Sequence, residues 1–185
     1  MNNSYFICGN RLFLREVRQS DVNDKYYEWL NDPEINQYME TRLIPQSLEN
    51  ISSFVKSKDG VLHEPFFAIC LKQDMSHIGN IKLGPINWVH RNAMISLFIG
   101  AKELWGKGFA TEAISLIVKY GFQTLNLNKL EAGCYKENEG SARAFEKCGF
   151  IREGLLRSHF INKGKDIDMY ILGICSRDYW CAEKI

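Results

Sequence analysis

Two hydrophobic patterns meet in the middle of the chain. Residues 94–99 read Met-Ile-Ser-Leu-Phe-Ile, an almost unbroken apolar run that predicts a strand covered on both faces. A short turn with two glycines, Gly106 and Gly108, follows it. Apolar residues then recur at the spacing of one helix face, at Ala110, Ala113, Ile114, Ile117 and Val118. A buried strand is therefore predicted to lead through a glycine-rich turn directly into an amphipathic helix.

Alternation and turn residues predict further elements on both sides of this segment. Strands are predicted at residues 11–17, 66–71, 77–83, 129–135, about 155–161 and 167–174. Helices are predicted after the cap Ser20–Asp21, from Pro33 to Tyr38, after Pro45–Ser47, and from the N-cap Asn138 to Gly149. We expect one α/β domain over residues 1–185, because this length suits a single hydrophobic core.

The turn at Gly106 has the features of an anion-binding site. The first amides of a helix have no acceptor within the helix, and the helix dipole adds partial positive charge there. Glycine takes positive φ angles and lets the backbone approach a ligand closely, and Lys107 adds a full positive charge. The ligand that this arrangement predicts is a phosphate or a pyrophosphate.

Three phosphate-binding patterns are alternatives for this turn. A Walker loop ends in Gly-Lys-Ser/Thr, but Gly108 stands where the hydroxyl residue is required. A dinucleotide fingerprint needs a third glycine where Thr111 stands. The segment Glu103-Leu104-Trp105-Gly106-Lys107-Gly108 instead resembles the pyrophosphate loop of the GNAT acetyltransferases, which has a polar residue, two spacers and then Gly-x-Gly. That family usually has Gln or Arg in place of Glu103.

Composition argues against several other classes of protein. The formal net charge of +1 gives no reason to expect nucleic acid or an anionic membrane as a partner. No apolar stretch approaches the roughly 18 residues of a membrane span, and the N-terminus lacks a signal-peptide pattern. The 6 cysteines are scattered without C-x-x-C spacing, which predicts reduced thiols, mostly buried, and no metal site. We therefore expect a cytoplasmic protein.

A second motif extends the resemblance beyond one loop. The segment from Asn138 to Phe150 resembles the GNAT signature N-x-x-[SA]-x-x-x-[FYL]-x-x-x-G-F. The segments 11–15, 29–34 and 105–113 resemble the RimJ/RimL-like branch, the ribosomal-protein N-terminal acetyltransferases and their relatives. The match covers nearly the whole chain in the right order.

The resemblance implies a fold and a cosubstrate. The GNAT fold is a strongly twisted mixed sheet of about six or seven strands with splayed central strands, flanked by helices. Acetyl-CoA is implied to lie in a gap between the strands at 94–99 and 129–135. The residues that the resemblance assigns to acetyl-CoA are Phe98, Ile99, Gly100, Leu104, Trp105, Gly106, Lys107, Gly108, Phe109, Ala110, Thr111, Asn138, Ser141 and Phe145.

Few residues are candidates for catalysis or for binding the acceptor. Many relatives carry a tyrosine at the position of Phe145, where it protonates the leaving thiolate, and a phenylalanine cannot do so. Ser141 lies one helical turn earlier on the same face and is the candidate replacement. His159, on the penultimate strand, is a second catalytic candidate. Glu40 and Arg42, after the predicted second helix, are candidates for contact with the acceptor.

The chemistry of amines narrows the acceptor without identifying it. An amine attacks a thioester only when neutral; at pH 7 about a tenth of an α-amine with a pKa near 8 is neutral, against a few parts in ten thousand of a lysine. No carboxylate pair or histidine cluster is evident, which favours the easier amine, deprotonated through ordered water. Direct attack, without an acyl-cysteine, is expected because the isolated Cys134 has no adjacent base in the sequence. The acceptor is expected to be a small amine, such as a nucleotide-linked amino sugar, or a protein N-terminus.

The protein is expected to be a monomer or a homodimer. The alternative function is a CoA-binding sensor or partner-binding domain without catalysis.

Overall fold

The computed structural model describes residues 5–182, and the contacts among them define two units. The first unit contains the described residues up to Lys82 together with Leu97–Ala113. The second unit contains Leu83–Ser96 together with the described residues from Ile114 onward. Within residues 5–182 no helix has the length and apolar character needed to cross a membrane.

Four strands of the first unit pair in chain order. They are β1 (Ile7–Cys8), β2 (Leu12–Glu16), β3 (Phe66–Leu71) and β4 (His77–Leu83), and each runs antiparallel to the next. The predicted bounds of β3 and β4 are confirmed. Short turns join β1 to β2 and β3 to β4 and favour their antiparallel pairing, because a few residues are enough to reverse the chain, whereas the long segment 17–65 connects β2 to β3.

Helices α1 (Asp24–Asn31) and α2 (Leu48–Ser57) bury their apolar faces in one cluster of the first unit. Ser47 caps α2 by accepting a hydrogen bond from the amide of Asn50, as its position before the helix predicted. The buried members of the cluster are Tyr26, Trp29, Leu30, Ile51 and Val55. Leu48 and Phe54 on α2 are instead 41% and 44% exposed.

Two helix predictions in this unit are wrong. The cap of α1 is Asn23 instead of Ser20–Asp21, because the carboxylate of Asp21 is already bound by the side chain of Arg15 and the amide of Arg18. The helix predicted from Pro33 to Tyr38 is absent from the described structure, where these residues form turns. The side chain of Asp32 accepts hydrogen bonds from the amides of Glu34 and Ile35, and this local turn replaces the helical bonds.

The strands of the second unit pair in the order β5-β6-β8-β7. They are β5 (Asn92–Ile99, whose first part lies in this unit), β6 (Lys129–Tyr135), β7 (Ile151–Asn162) and β8 (Lys165–Cys175). The β5–β6 pair is parallel and joins Asn92–Met94 to Lys129–Glu131, and the other pairs are antiparallel. The predicted bounds of β6 are confirmed. Burial along β5 alternates: Ala93 and Ile95 are buried, whereas Met94 and Ser96 are exposed, so the prediction that both faces are covered is wrong.

Three helices complete the described chain. α3 (Phe109–Lys119) continues into a π-helical turn over Tyr120–Thr124, α4 (Glu139–Glu146) follows β6, and α5 (Ser176–Ala182) follows β8. The described residues contain eight strands, against the six or seven expected, because the two-residue β1 carries too short a pattern to be recognised. The mixture of parallel and antiparallel strands with flanking helices agrees with the predicted α/β class.

Candidate functional site

The glycine-rich turn has the backbone conformation that its sequence predicted. Gly106 and Gly108 have φ angles of 72° and 81°, in the left-handed region that glycine adopts without strain. α3 begins at the next residue, Phe109, and its first internal bond runs from the amide of Glu112 to the carbonyl of Gly108. The amides in this first turn therefore have no acceptor within the helix.

Hydrogen bonds inside the turn decide which of its amides remain available. The amides of Leu104, Trp105 and Lys107 donate to the carbonyls of Ala101, Lys102 and Leu104. The amides that remain candidates for binding an anion are those of Gly106, Gly108, Phe109 and Ala110. Thr111, also predicted to bind acetyl-CoA, lies half-buried in the first turn of α3.

The end of β5 is held against neighbouring backbone of the first unit. The amide of Gly100 donates to the carbonyl of Ile78 at 2.8 Å, and the indole N–H of Trp105 donates to the carbonyl of Ile99 at 2.7 Å. Trp29 packs so closely on Gly100 that a Cβ there would meet the indole at 2.1 Å, so only glycine fits. The ring of Phe98 packs edge-on against Trp29, with 6.2 Å between the ring centroids.

A carboxylate in the first turn of α3 joins the turn to the start of β2. Glu112 Oε1 accepts hydrogen bonds from the amides of Arg11 and Leu12 at 2.7 and 3.0 Å. Its Oε2 accepts from Nε of Arg11 at 2.8 Å. Burial alone raises the pKa of Glu112, but the bonds from Arg11 and Leu12 outweigh it and the pKa is lowered. Glu112 is thus ionised and holds the first turn of α3 to the start of β2. Because its oxygens are committed to these hydrogen bonds, it is unsuited to act as a base.

Lys102 forms ion pairs with two acidic residues beside the turn. Its ammonium group lies 2.8 Å from Oδ2 of Asp32 and 2.6 Å from Oε2 of Glu34. Hydrogen bonds to these two carboxylates raise the pKa of Lys102. Since Lys102 is committed to them, Lys107 is the lysine of the turn whose charge can serve a ligand. Glu103, which stands where Gln or Arg is usual, is exposed.

In the second unit, Asn138 caps α4 as predicted. Its side-chain oxygen accepts a hydrogen bond from the amide of Ser141 at 3.2 Å, and its own amide donates to the carbonyl of Tyr135 at 2.8 Å. These bonds join the end of β6 to the first turn of α4 and fix the half-buried Ser141 there. Gly149 has a φ of 88° where the chain leaves the helix.

Two other residues near this helix are buried. Phe145 is 2% exposed and its ring packs edge-on against Phe150, with 5.0 Å between the centroids. Burial raises the pKa of the Cys134 thiol, on β6, to about 11, so this thiol is protonated at neutral pH. Neither side chain is a nucleophile or an acid in this environment.

The other predicted site residues, His159, Glu40 and Arg42, lie neither in the glycine turn nor on α4. His159 is exposed on β7 and packs edge-on against Phe160, with 4.8 Å between the ring centroids. Glu40 and Arg42 lie in the 3-10 turn Glu40–Leu43, where Nη1 of Arg42 donates to the carbonyl of Met39 at 2.8 Å. The assignments of these three residues stay predictions. Among residues 5–182 no group of three or more His, Cys, Asp or Glu side chains is placed to hold a metal ion.

Sequence reasoning missed the partner of Glu112. Arg11 precedes Glu112 by 101 residues, and no local pattern links positions so far apart. The available signal is an acidic residue in the first turn of a helix, which indicates a favourable interaction with the helix dipole but identifies no partner.

Comparison with known proteins identifies the class to which this fold and loop belong. The family profile of the acetyltransferase (GNAT) domain matches residues 11–151, a range that includes the glycine turn and the cap of α4. The chain belongs to the GNAT acetyltransferase family, and its fold is the mixed open sheet flanked by helices that this family shares.

Individual relatives agree with this family. An uncharacterized N-acetyltransferase, p20 of Bacillus licheniformis, is 32% identical over 178 residues, covering 91% of this chain and 95% of that protein. The spermidine N(1)-acetyltransferase of Escherichia coli (strain K12) is 43% identical over 111 residues, covering 60% of this chain and 59% of that protein.

Solved structures give the same fold. A spermidine N-acetyltransferase from Vibrio cholerae, in complex with CoA and spermine, superposes with a TM-score of 0.82 at 28% identity, covering 92% of this chain and 98% of that one. A GNAT-family acetyltransferase from Bacillus anthracis has a TM-score of 0.81 at 24% identity, with the same coverage of 92% and 98%, and supports the fold alone.

Glu112→Gln is expected to destabilise the protein in a pH-dependent way. The wild-type pKa is lowered on folding, so the stabilisation is present above the pKa of the unfolded carboxyl, about 4.3, and is lost as the pH falls through the folded value. At pH 7 the variant should lose about 1.5 kcal/mol of unfolding free energy, because Gln cannot replace the charged bond to Arg11. Urea unfolding at pH 7 and at pH 3.5 measures both differences.

Glu49, an exposed acidic residue in the first turn of α2, provides the matched control. Glu49→Gln should change the unfolding free energy by less than about 0.5 kcal/mol at either pH. An equal loss for Glu112→Gln at both pH values would contradict the role of the charged carboxylate.

Proposed function

We propose that the protein transfers the acetyl group of acetyl-CoA to a small primary amine. The observation that carries the proposal is the turn with positive φ at Gly106 and Gly108 that opens into α3, in a chain of the GNAT family. The RimJ/RimL-like branch is the finer assignment that we propose within this family, on the resemblance of residues 105–113 and of the segments near the N-terminus.

The residues of the turn fit a pyrophosphate. A Cβ at Gly106 would meet no atom within 4 Å, and one at Gly108 would meet only Nη2 of Arg11, at 3.5 Å. Both glycines are therefore needed for their φ angles and for open backbone, which is what close approach of an anion requires. We assign anion binding to the amides of Gly106, Gly108, Phe109 and Ala110 and to the charge of Lys107. Asn138 is assigned a further contact with the cosubstrate.

We propose that the amine attacks the thioester directly. Acetyl-CoA supplies a thioester carbonyl carbon that accepts the amine nitrogen and a sulfur that leaves as thiolate. An acyl-cysteine route needs a thiolate, and the raised pKa of Cys134, about 11, keeps that thiol protonated. Glu112 is held by Arg11 and Leu12, so we assign deprotonation of the amine to solvent water instead of a side chain.

The small-amine acceptor is supported by the names of two relatives. The matching proteins of Escherichia coli and Vibrio cholerae are named as spermidine acetyltransferases, and the structure from Vibrio cholerae contains spermine. A nucleotide-linked amino sugar is another small amine that fits this proposal, and a protein N-terminus is the competing acceptor. We further propose a cytoplasmic location, because all six cysteines are free and a reducing compartment keeps them so. We retain a monomer or homodimer as the expected assembly.

An amine panel with free-thiol detection tests the function. The panel contains spermidine, spermine, a nucleotide-linked amino sugar and a lysine-free peptide with a free N-terminus. We expect kcat/KM for the best small amine to exceed that for the peptide by at least about tenfold, which is a difference of 1.4 kcal/mol in the barrier. Mass analysis of the product identifies the acetylated nitrogen.

The other outcomes of the panel are equally informative. Preference for the peptide would transfer the assignment to a protein N-terminus. Binding of CoA without thiol release from acetyl-CoA, with every amine, would favour the non-catalytic CoA-binding domain and overturn the proposed reaction.

Gly108→Val is expected to weaken CoA binding by at least about thirtyfold. A β-branched residue resists a φ of 81°, and it would displace the amides that we assign to the anion. Gly164→Val is the matched control: Gly164 has a similar φ of 74° and open space, and it lies in the β7–β8 turn. The control should show comparable strain but bind CoA like the wild type in titration calorimetry. Equal CoA affinities for the two variants would refute the assignment of the turn.

Ser141→Ala is expected to lower kcat by about tenfold while CoA affinity changes less than about twofold. The reason is that we assign Ser141 to relay a proton to the leaving thiolate, a contribution at the low end of general-acid catalysis. Ser53→Ala, at an exposed serine on α2, is the control and should match the wild type. Wild-type turnover of Ser141→Ala at saturating acetyl-CoA would show that water alone protonates the thiolate.

A further inference from the structure

Arg11 contacts the glycine turn at three successive places. Its Nη1 donates to the carbonyl of Lys107 at 3.0 Å, its guanidinium carbon lies 4.2 Å from the ring centroid of Phe109, and its Nε donates to Glu112. The backbone of Arg11 is fixed at the same time, because its carbonyl accepts a hydrogen bond from the amide of Lys72 at 2.9 Å. The side chain thus spans the whole junction between the turn and α3 from a rigid point beside the sheet.

The bond to Lys107 orients the amide that follows it. The Lys107–Gly108 peptide bond is trans, so its carbonyl and its N–H point in opposite directions. When Arg11 binds the carbonyl of Lys107, the N–H of Gly108 is turned away from Arg11. Rotation of this peptide changes ψ of Lys107 and φ of Gly108, and because glycine has few steric limits on φ, the peptide has more freedom to rotate in the absence of such a bond. Arg11 therefore selects one orientation of an amide that we assign to the anion.

Arg11 also neutralises a charge that opposes anion binding. The carboxylate of Glu112 lies in the first turn of α3, where its negative charge competes with any bound anion for the positive end of the helix dipole. The guanidinium of Arg11, 2.8 Å from Glu112, compensates this negative charge.

We infer that Arg11 is a positioning residue for the pyrophosphate of acetyl-CoA. It acts through the peptide orientation at Lys107–Gly108 and through the charge of Glu112, and the inference rests on the proposed use of acetyl-CoA. Arg11 is assigned no contact with the reacting atoms, so its effect is on cosubstrate binding and not on the chemical step.

The test compares a substrate that has the pyrophosphate with one that lacks it. We expect Arg11→Ala to raise KM for acetyl-CoA and Kd for CoA by about tenfold or more, with kcat changed less than threefold, since charged hydrogen bonds contribute on this scale. With S-acetylpantetheine, which has no phosphate, kcat/KM should stay within about twofold of the wild type. Arg11→Lys should recover part of the loss, because it keeps the charge but cannot make both bonds at once.

Arg18→Ala is the matched control, because Arg18 forms an ion pair with Glu16 and its side chain is 45% exposed, the same fraction as that of Arg11. This control should match the wild type with both substrates. Arg11→Gln, which keeps one donor without the charge, serves if Arg11→Ala does not fold, and the same rise in KM and Kd is expected.

Two results overturn the inference. One is unchanged Kd for CoA in every folded Arg11 variant; the other is an equal loss with acetyl-CoA and S-acetylpantetheine, which would assign Arg11 to general stability. Either result with an active wild type leaves the proposed function standing. A wild-type protein that neither binds CoA nor releases thiol would refute both.

Discussion

The glycine turn depends on the hydrogen bonds that the carboxylate of Glu112 accepts. One oxygen accepts hydrogen bonds from two backbone amides at the start of β2, and the other accepts a hydrogen bond from the side chain of Arg11. A carboxylate that is 16% exposed and receives three hydrogen bonds holds its partners far more firmly than a surface ion pair does. The first turn of α3, and with it the turn that precedes it, is therefore fixed to a sheet strand.

Local sequence patterns predicted several strand bounds and helix caps. The strands at Phe66–Leu71, His77–Leu83 and Lys129–Tyr135 have the predicted bounds, and Ser47 and Asn138 cap the helices that they precede. Predictions failed where one side chain had two possible partners. Asp21 was expected to cap a helix, but its carboxylate is bound by the side chain of Arg15 and the amide of Arg18, and Asn23 caps the helix instead.

Some features of the candidate site could likewise be predicted from the sequence, and others could not. The conformation of Gly106 and Gly108 and the cap at Asn138 followed from residue type and spacing, because they are properties of a few neighbouring residues. The role of Glu112 and the bond from Trp105 to the carbonyl of Ile99 did not, since they arise only when the folded chain brings the groups together. The balance of charge around the turn could not be predicted from the sequence either. It depends on which carboxylates form ion pairs with a cation in the folded chain.

The first unit is not continuous along the chain, and this has a consequence for the order of synthesis. Residues up to Lys82 leave the ribosome well before Leu97–Ala113, the segment that completes the same unit. Until then the carbonyl of Ile78 lacks the amide of Gly100, and Trp29 lacks the glycine against which it packs. The nascent N-terminal region must therefore remain an incomplete layer with exposed apolar surface until Leu97–Ala113, the last part of this unit to be made, has been synthesised.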